Sequence, residues 1–245
     1  MNYFEIVPSD LNNIIVSYLL YDELKIILNT FDLVYINWNT INEYHFGEYK
    51  SISINEYLNR LSFEGLINKL KLPYTIDQLL NLKELYLNNY QLTQVPPEIW
   101  MLTNLRELYL YNNHLIQIPP EIGNLNNLQV LHLYNNKLTQ ISPKIGNLTN
   151  LQYLYLGDNH LIQVPPEIWN LTNLQELSLS HNRLTQIPPE VGMLNNLREL
   201  NLRGNQLTQV PPEIGALNNL QYLYLDNNIQ IPESIKKLPH LQIIK

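Results

Sequence analysis

No cysteine occurs among the 245 residues. That excludes thiol nucleophiles with their thioester intermediates, thiolate metal sites and disulfide staples. Charge is also sparse: charged residues make up 15% of the chain, the formal net charge is -7 and the pI is near 5.3. The clustered Lys and Arg that a phosphate backbone needs are missing, so nucleic acid is not an expected partner. No apolar run reaches the roughly 18 residues of a membrane span. Met1-Asn2-Tyr3-Phe4-Glu5 carries neither the basic segment nor the apolar stretch of a secretion signal. The expected location is therefore intracellular, in the cytoplasm, with no membrane partner. Asparagine, by contrast, is heavily over-represented, with Ile and Tyr also frequent, and AT-rich coding bias accounts for all three.

From Leu82 onward the chain repeats L-x-x-L-x-L-x-x-N-x-L or a near variant. The first leucines are Leu82, Leu105, Leu128, Leu151, Leu174, Leu197 and Leu220, each 23 residues after the last. One such unit is too small to bury its own apolar face, so neighbours must stack into a continuous core. The pattern resembles the leucine-rich repeat family. The resemblance implies an α/β solenoid of horseshoe form, with short parallel strands on the concave face and short helical or 3-10 turns on the convex face. A small helical N-terminal region precedes it.

The unit from Leu105 to Asn127 shows how each position works. Period-2 alternation points Leu105, Leu108 and Leu110 inward and leaves Glu107, Tyr109 and Tyr111 outward. Asn113 turns the chain, and its amide is expected to bond exposed backbone groups, so that stacked units build an asparagine ladder. Asn136, Asn159, Asn182, Asn205 and Asn228 occupy the same position. The first unit has Tyr90 there, so the first rung is expected to be missing. Leu115 and Ile118 return to the core, and Pro119-Pro120 fix an extended segment without donors. Glu121 follows at the start of a short helical turn, where a carboxylate suits the positive end of the dipole, and Ile122 and Leu125 close the unit. Asn147-Leu148-Thr149 and Asn170-Leu171-Thr172 match glycosylation acceptors but fall on the repeat's own consensus.

The run I/V-P-P-E-I-G-x-L-x-N-L resembles the intracellular repeats of the Ras-group type, which implies scaffolds and signalling adaptors. At the C-terminus the last unit is shortened by two residues after Asn228, and Lys236, Lys237, His240 and Lys245 give a polar finish. Before Leu82, a degenerate unit is read from Leu58-x-x-Leu61-x-Phe63, Leu72-Pro73 and Ile76-x-x-Leu79. The expected organisation is thus a helical region over 1–50, a degenerate repeat or cap over 51–81, and the repeat domain over 82–245.

Outward positions one unit apart form columns about 4.8 Å apart per strand. One column reads Tyr86, Tyr109, His132, Tyr155, Ser178, Asn201, Tyr224. A second reads Asn88, Tyr111, Tyr134, Gly157, Ser180, Arg203, Asp226, and a third Glu84, Glu107, Val130, Tyr153, Glu176, Glu199, Tyr222. The first four units therefore offer a Tyr/His sheet made of Tyr86, Tyr109, Tyr111, His132, Tyr134, Tyr153 and Tyr155, flanked by Glu84, Glu107 and Asp158. Tyrosine brings contact area with few rotors to freeze and a hydroxyl that tolerates water. Read functionally, this is a concave face for a protein or peptide of basic or hydroxyl-rich character. Read structurally, tyrosine is simply a good strand residue. No catalytic, metal or cofactor site is expected: His132 has no nucleophile beside it, and His114 and His160 lie about 10 Å apart, two strands away.

The N-terminus has a different pattern. Val7-Pro8-x-Asp10-Leu11 opens a helix with Ile14, Ile15, Tyr18 and Leu19 on one face. Asp22-Glu23-Leu24 starts a second segment, which leads through Phe31 to Val34 and Trp38. Residues 5–45 resemble an F-box. The interval from Leu24 to Trp38 is longer than in that family, and Ile36 and Asn37 replace its basic residues. The resemblance implies that Pro8, Leu11, Ile14, Ile15 and Leu19 dock the adaptor subunit of a cullin-type ubiquitin ligase, while the repeats hold a substrate. The alternative is a helical cap on the solenoid's first core face, in a signalling scaffold or adaptor. Both readings describe a non-enzymatic interaction protein.

Overall fold

The computed structural model describes residues 54–245, and the residues named for the F-box resemblance lie outside them. The described residues fall into two compact units that divide after Ile76. In the first, helix α1 (Ile54–Leu70) contains the positions of Leu58, Leu61 and Phe63, so the degenerate repeat expected there is helix and not strand. The cause is spacing: Phe63, Leu66 and Leu70 recur at helical intervals and are all buried. Lys71, with φ of 52°, adopts the left-handed conformation that ends the helix, and the Leu72 N–H returns to the Ile67 carbonyl. A short helix, α2 (Ile76–Leu80), begins at the boundary and belongs mostly to the second unit.

The second unit is the repeat array. Its strands are β1 (Glu84–Tyr86), β2 (Glu107–Tyr109), β3 (Val130–His132), β4 (Tyr153–Tyr155), β5 (Glu176–Ser178), β6 (Glu199–Asn201), β7 (Tyr222–Tyr224) and β8 (Gln242–Ile244). They form one open parallel sheet in sequence order. Each strand is three residues long because only the central side chain needs the core. Leu85, Leu108, Leu131, Leu154, Leu177, Leu200 and Leu223 are at most 1% exposed.

Returning segments carry 3-10 turns, from Pro97–Met101 to Pro212–Ala216, and then α3 (Glu233–Lys236). Proline opens each 3-10 turn, where its missing N–H costs nothing. Ile99, Ile122, Ile145, Ile168, Val191 and Ile214 plug the core from this side. The fold is a leucine-rich repeat solenoid.

Two ladders hold successive units together. In the buried one, Asn113 Oδ1 accepts the Leu92 N–H at 2.9 Å, while Nδ2 donates to Leu87 and Leu110 carbonyls at 2.8 and 2.9 Å. Asn136, Asn159, Asn182 and Asn205 repeat this with their own neighbours. Each rung therefore ties one unit to the one before it. The second ladder is exposed: Asn104, Asn127, Asn150, Asn173, Asn196 and Asn219 each donate to a backbone carbonyl of the preceding unit.

Asn228 does not extend the buried ladder and is exposed. The shortened last unit brings Ile229 directly after it, whereas Leu115 follows Asn113 by two positions, so the amide cannot face inward. Its work is divided. The Asp226 carboxylate accepts the Gly204 N–H at 3.0 Å and the Asn205 N–H at 3.3 Å. In the units before, backbone carbonyls such as those of Tyr134 and Asn135 take these protons. Lys245 Nζ donates to the Ile229 carbonyl at 3.0 Å, closing the final turn.

Candidate functional site

Register brings the sequence columns together. Tyr86 pairs with Tyr109, Tyr109 with His132, and His132 with Tyr155. In the adjoining column Glu84 pairs with Glu107, Glu107 with Val130, and Val130 with Tyr153. Tyr111 and Tyr134 lie just beyond the ends of β2 and β3, where the Asn112 N–H bonds the Tyr134 carbonyl.

His132 is the centre of this surface. Its ring centroid lies 4.8 Å from both Tyr111 and Tyr155, 6.1 Å from Tyr109 and 6.4 Å from Tyr134. Tyr86 stacks flat on Tyr109. Burial in this ring of phenols lowers the His132 pKa, favouring the neutral imidazole. Its Nδ1 is shut from solvent and has no hydrogen-bond partner.

Three of the phenols are tethered to acids. Tyr86 donates to Glu84 at 2.9 Å, Tyr109 to Glu107 at 2.6 Å and Tyr155 to Glu176 at 2.6 Å. The hydrogen bond to Glu107 pushes the Tyr109 pKa well up, and burial followed by the Glu176 bond does the same for Tyr155. Interaction with the Asp158 carboxylate, then burial, raises Tyr134. Burial, then the charge of Glu176, raises Glu199.

Gly157 leaves room for the Tyr134 ring. A Cβ there would come within 2.7 Å of Ser180 Oγ and 3.2 Å of Tyr134 Cδ2. The glycine is thus a positioning residue for the ring. Glu176 is a second residue that the sequence reading left out of the site. The signal for it was present in the columns, where Glu176 stands directly beside Tyr153, one strand on from Tyr155. Among the described residues, no group of three or more His, Asp or Glu side chains is placed to hold a metal ion.

Such a stack of strands with a patterned outer face defines the class, and the chain belongs to the leucine-rich repeat family. The family model for a leucine-rich repeat region matches residues 97–183 and 166–245. Among solved structures it is similar to a leucine-rich repeat protein of Leptospira interrogans, at 44% identity and a TM-score of 0.65, over 71% of this chain and 45% of that one. It is also similar to an internalin of Listeria monocytogenes, at 27% identity and a TM-score of 0.62, over 69% and 49% of the two chains. A third is the ectodomain of the plant membrane receptor kinase GASSHO1/SCHENGEN3 of Arabidopsis thaliana, solved in complex with CASPARIAN STRIP INTEGRITY FACTOR 2. There the identity is 33% and the TM-score 0.62, over 68% of this chain and 21% of that one.

The chain thus spans less than half the length of each of these. No curated protein matches it. Leucine-rich repeat proteins generally act as protein–protein interaction modules and are typically non-catalytic. Among the described residues, no helix is long and apolar enough to cross a membrane.

Proposed function

We propose that this protein is a non-catalytic recognition module that holds a protein or peptide against the strand face centred on His132. One observation carries the reading: an outward-facing histidine is ringed by four tyrosines from three consecutive strands and their turns, and every ring contact joins neighbouring units or columns. Tyrosines so ordered have little rotamer freedom left to lose on binding. Glu84, Tyr86, Glu107, Tyr153 and Asp158 border the same surface. A cytoplasmic location accords with a chain that has no cysteine for disulfide caps.

The N-terminal resemblance supports a specific version of this function. In it, residues 5–45 act as an F-box that docks a cullin-type ligase adaptor through Pro8, Leu11, Ile14, Ile15 and Leu19, and the repeats present a substrate. A receptor of that kind needs no nucleophile of its own. In the alternative, supported by the Ras-group form of the P-P-E-I-G segments, the chain is a signalling scaffold and residues 1–50 serve only as a cap.

Photo-crosslinking from full-length protein tests the common reading. The Tyr109→Ala/Tyr134→Ala/Tyr155→Ala variant is expected to lose the crosslinked partner, while Glu121→Ala/Lys144→Ala on the opposite side retains it. Retention by the tyrosine variant ends the recognition-face reading. Co-purification of the ligase adaptor separates the two versions: its absence with residues 1–50 intact removes the ubiquitin role.

A further inference from the structure

Three phenols along the column through His132 use their hydrogen-bond donors internally. Tyr86, Tyr109 and Tyr155 give their phenolic protons to Glu84, Glu107 and Glu176. A phenol with its proton committed retains only acceptor lone pairs, and an ionised carboxylate is an acceptor throughout. The phenol bonds to Glu107 and Glu176 occupy Oε2, which leaves Oε1 of each available. What the surface lacks, a ligand must bring: donors and positive charge.

Spacing narrows the ligand further. Glu107 and Glu176 lie in one column, separated by Val130 and Tyr153. Three strand spacings of about 4.8 Å put them roughly 14 Å apart. In an extended peptide, residues i and i+4 lie on one side and are separated by about 13 Å, at about 3.3 Å per residue. Arginine suits both needs, because its fork bonds carboxylates and its plane stacks on aromatic rings.

We propose that the ligand of this face is an extended peptide segment crossing the strands, with arginines at i and i+4 that engage Glu107 and Glu176 over the Tyr109–His132–Tyr155 rings. This rests on the recognition-face reading above and adds the chemistry of its partner.

The test is fluorescence anisotropy with full-length protein and a labelled peptide of sequence Gly-Arg-Ser-Ala-Ser-Arg-Gly. Its counterparts carry citrulline, the neutral isostere, or glutamate at both arginine positions. The arginine peptide is expected to bind at least about tenfold more tightly than the citrulline peptide, and the gap is expected to narrow as salt is added. Glu107→Gln/Glu176→Gln is expected to remove most of that preference. Should this variant fail to fold, the arginine-against-citrulline comparison on the unaltered chain decides alone. Equal binding of the two peptides, or tighter binding of the glutamate peptide, overturns the assignment. If that happens while the triple tyrosine variant still loses its crosslinked partner, the face remains a recognition surface and only its charge preference is wrong. Retention of the full arginine preference by the triple tyrosine variant overturns the placement of the arginines over the rings.

Discussion

Tyr86 and Tyr109 stack with ring centroids 4.6 Å apart and planes within 3° of parallel. That separation is nearly the spacing of the strands that carry them, about 4.8 Å. The backbone therefore sets the stacking distance, and the side chains follow it from β1 to β2. Farther along, a histidine interrupts the phenols at β3, and its smaller ring lets Tyr111 and Tyr155 close in from two sides.

The buried ladder is expected to dominate stability. Asn159 accepts the Leu138 N–H and donates to Leu133 and Leu156 carbonyls. Asn159→Leu would leave these groups unpaired in the core, at a cost of about 1–3 kcal/mol for each group so stranded. Asn173→Ala, in the exposed ladder, leaves the Thr149 carbonyl open to water and is expected to cost under about 1 kcal/mol. Urea unfolding of both variants measures the difference. Equal losses would contradict the ranking of the two ladders.

Asp226→Ala removes the acceptor for the Gly204 and Asn205 N–H groups. A loss of about 1–3 kcal/mol is expected, felt locally at the C-terminal end of the array. Amide exchange should quicken at Gly204 and Asn205 while Leu131 and Leu154 stay protected.

Gly157→Ala is expected to push Tyr134 off His132 and weaken partner capture, because the new methyl meets the Tyr134 ring and Ser180. Ser180→Gly on the same chain would relieve the nearer contact and restore only part of the loss. Crosslinking yield against the unaltered protein reads both effects.

Acid titration is expected to destabilise the protein through His132. Its folded pKa lies below the ordinary 6.5, so the unfolded chain binds the proton first. Stability is therefore complete above about 6.5 and falls as the pH drops from there toward the folded value. Tyr109, Tyr111, Tyr134 and Tyr155 face the imidazole, and the Glu107 and Glu176 carboxylates are held by Tyr109 and Tyr155. At the alkaline end the sign is opposite. Tyr109 and Tyr155 are raised above their ordinary value of 10.0, so the stability they contribute is present below it and is lost as the pH climbs beyond it. Ultraviolet phenolate absorbance is expected to show these two ionising above the ordinary phenol value. The His132→Gln variant, followed by thermal melting across the acid range, isolates the histidine: an unchanged acid profile would contradict its part.

Much of this was legible in the sequence, because a fixed period carries its own three-dimensional register. The columns through Tyr86, Tyr109, His132 and Tyr155 needed only a count of 23 and the alternation of a strand. The buried ladder was legible for the same reason. What escaped were features that depend on departures from the period. Asn228 keeps the residue type of a rung but not the two-residue offset to the next core position. Its replacement by Asp226 and Lys245 depends on a turn whose geometry no single motif encodes. Strand β8 escaped because its register is shortened, with Tyr222 opposite Gln242. The exposed ladder of Asn104 and its successors was hidden by abundance: in so asparagine-rich a chain, composition alone does not single out a second functional column. Helix α1 was misread because Leu58, Leu61 and Phe63 reproduce three letters of the repeat without the turn residues that follow them elsewhere.

Every buried rung reaches back one unit and no farther, so a whole block of 23 residues can be duplicated or excised between rungs without orphaning a bond. Length is therefore the trait this architecture leaves open to inheritance, and the recognition surface can be widened or trimmed without rewriting the residues that support it.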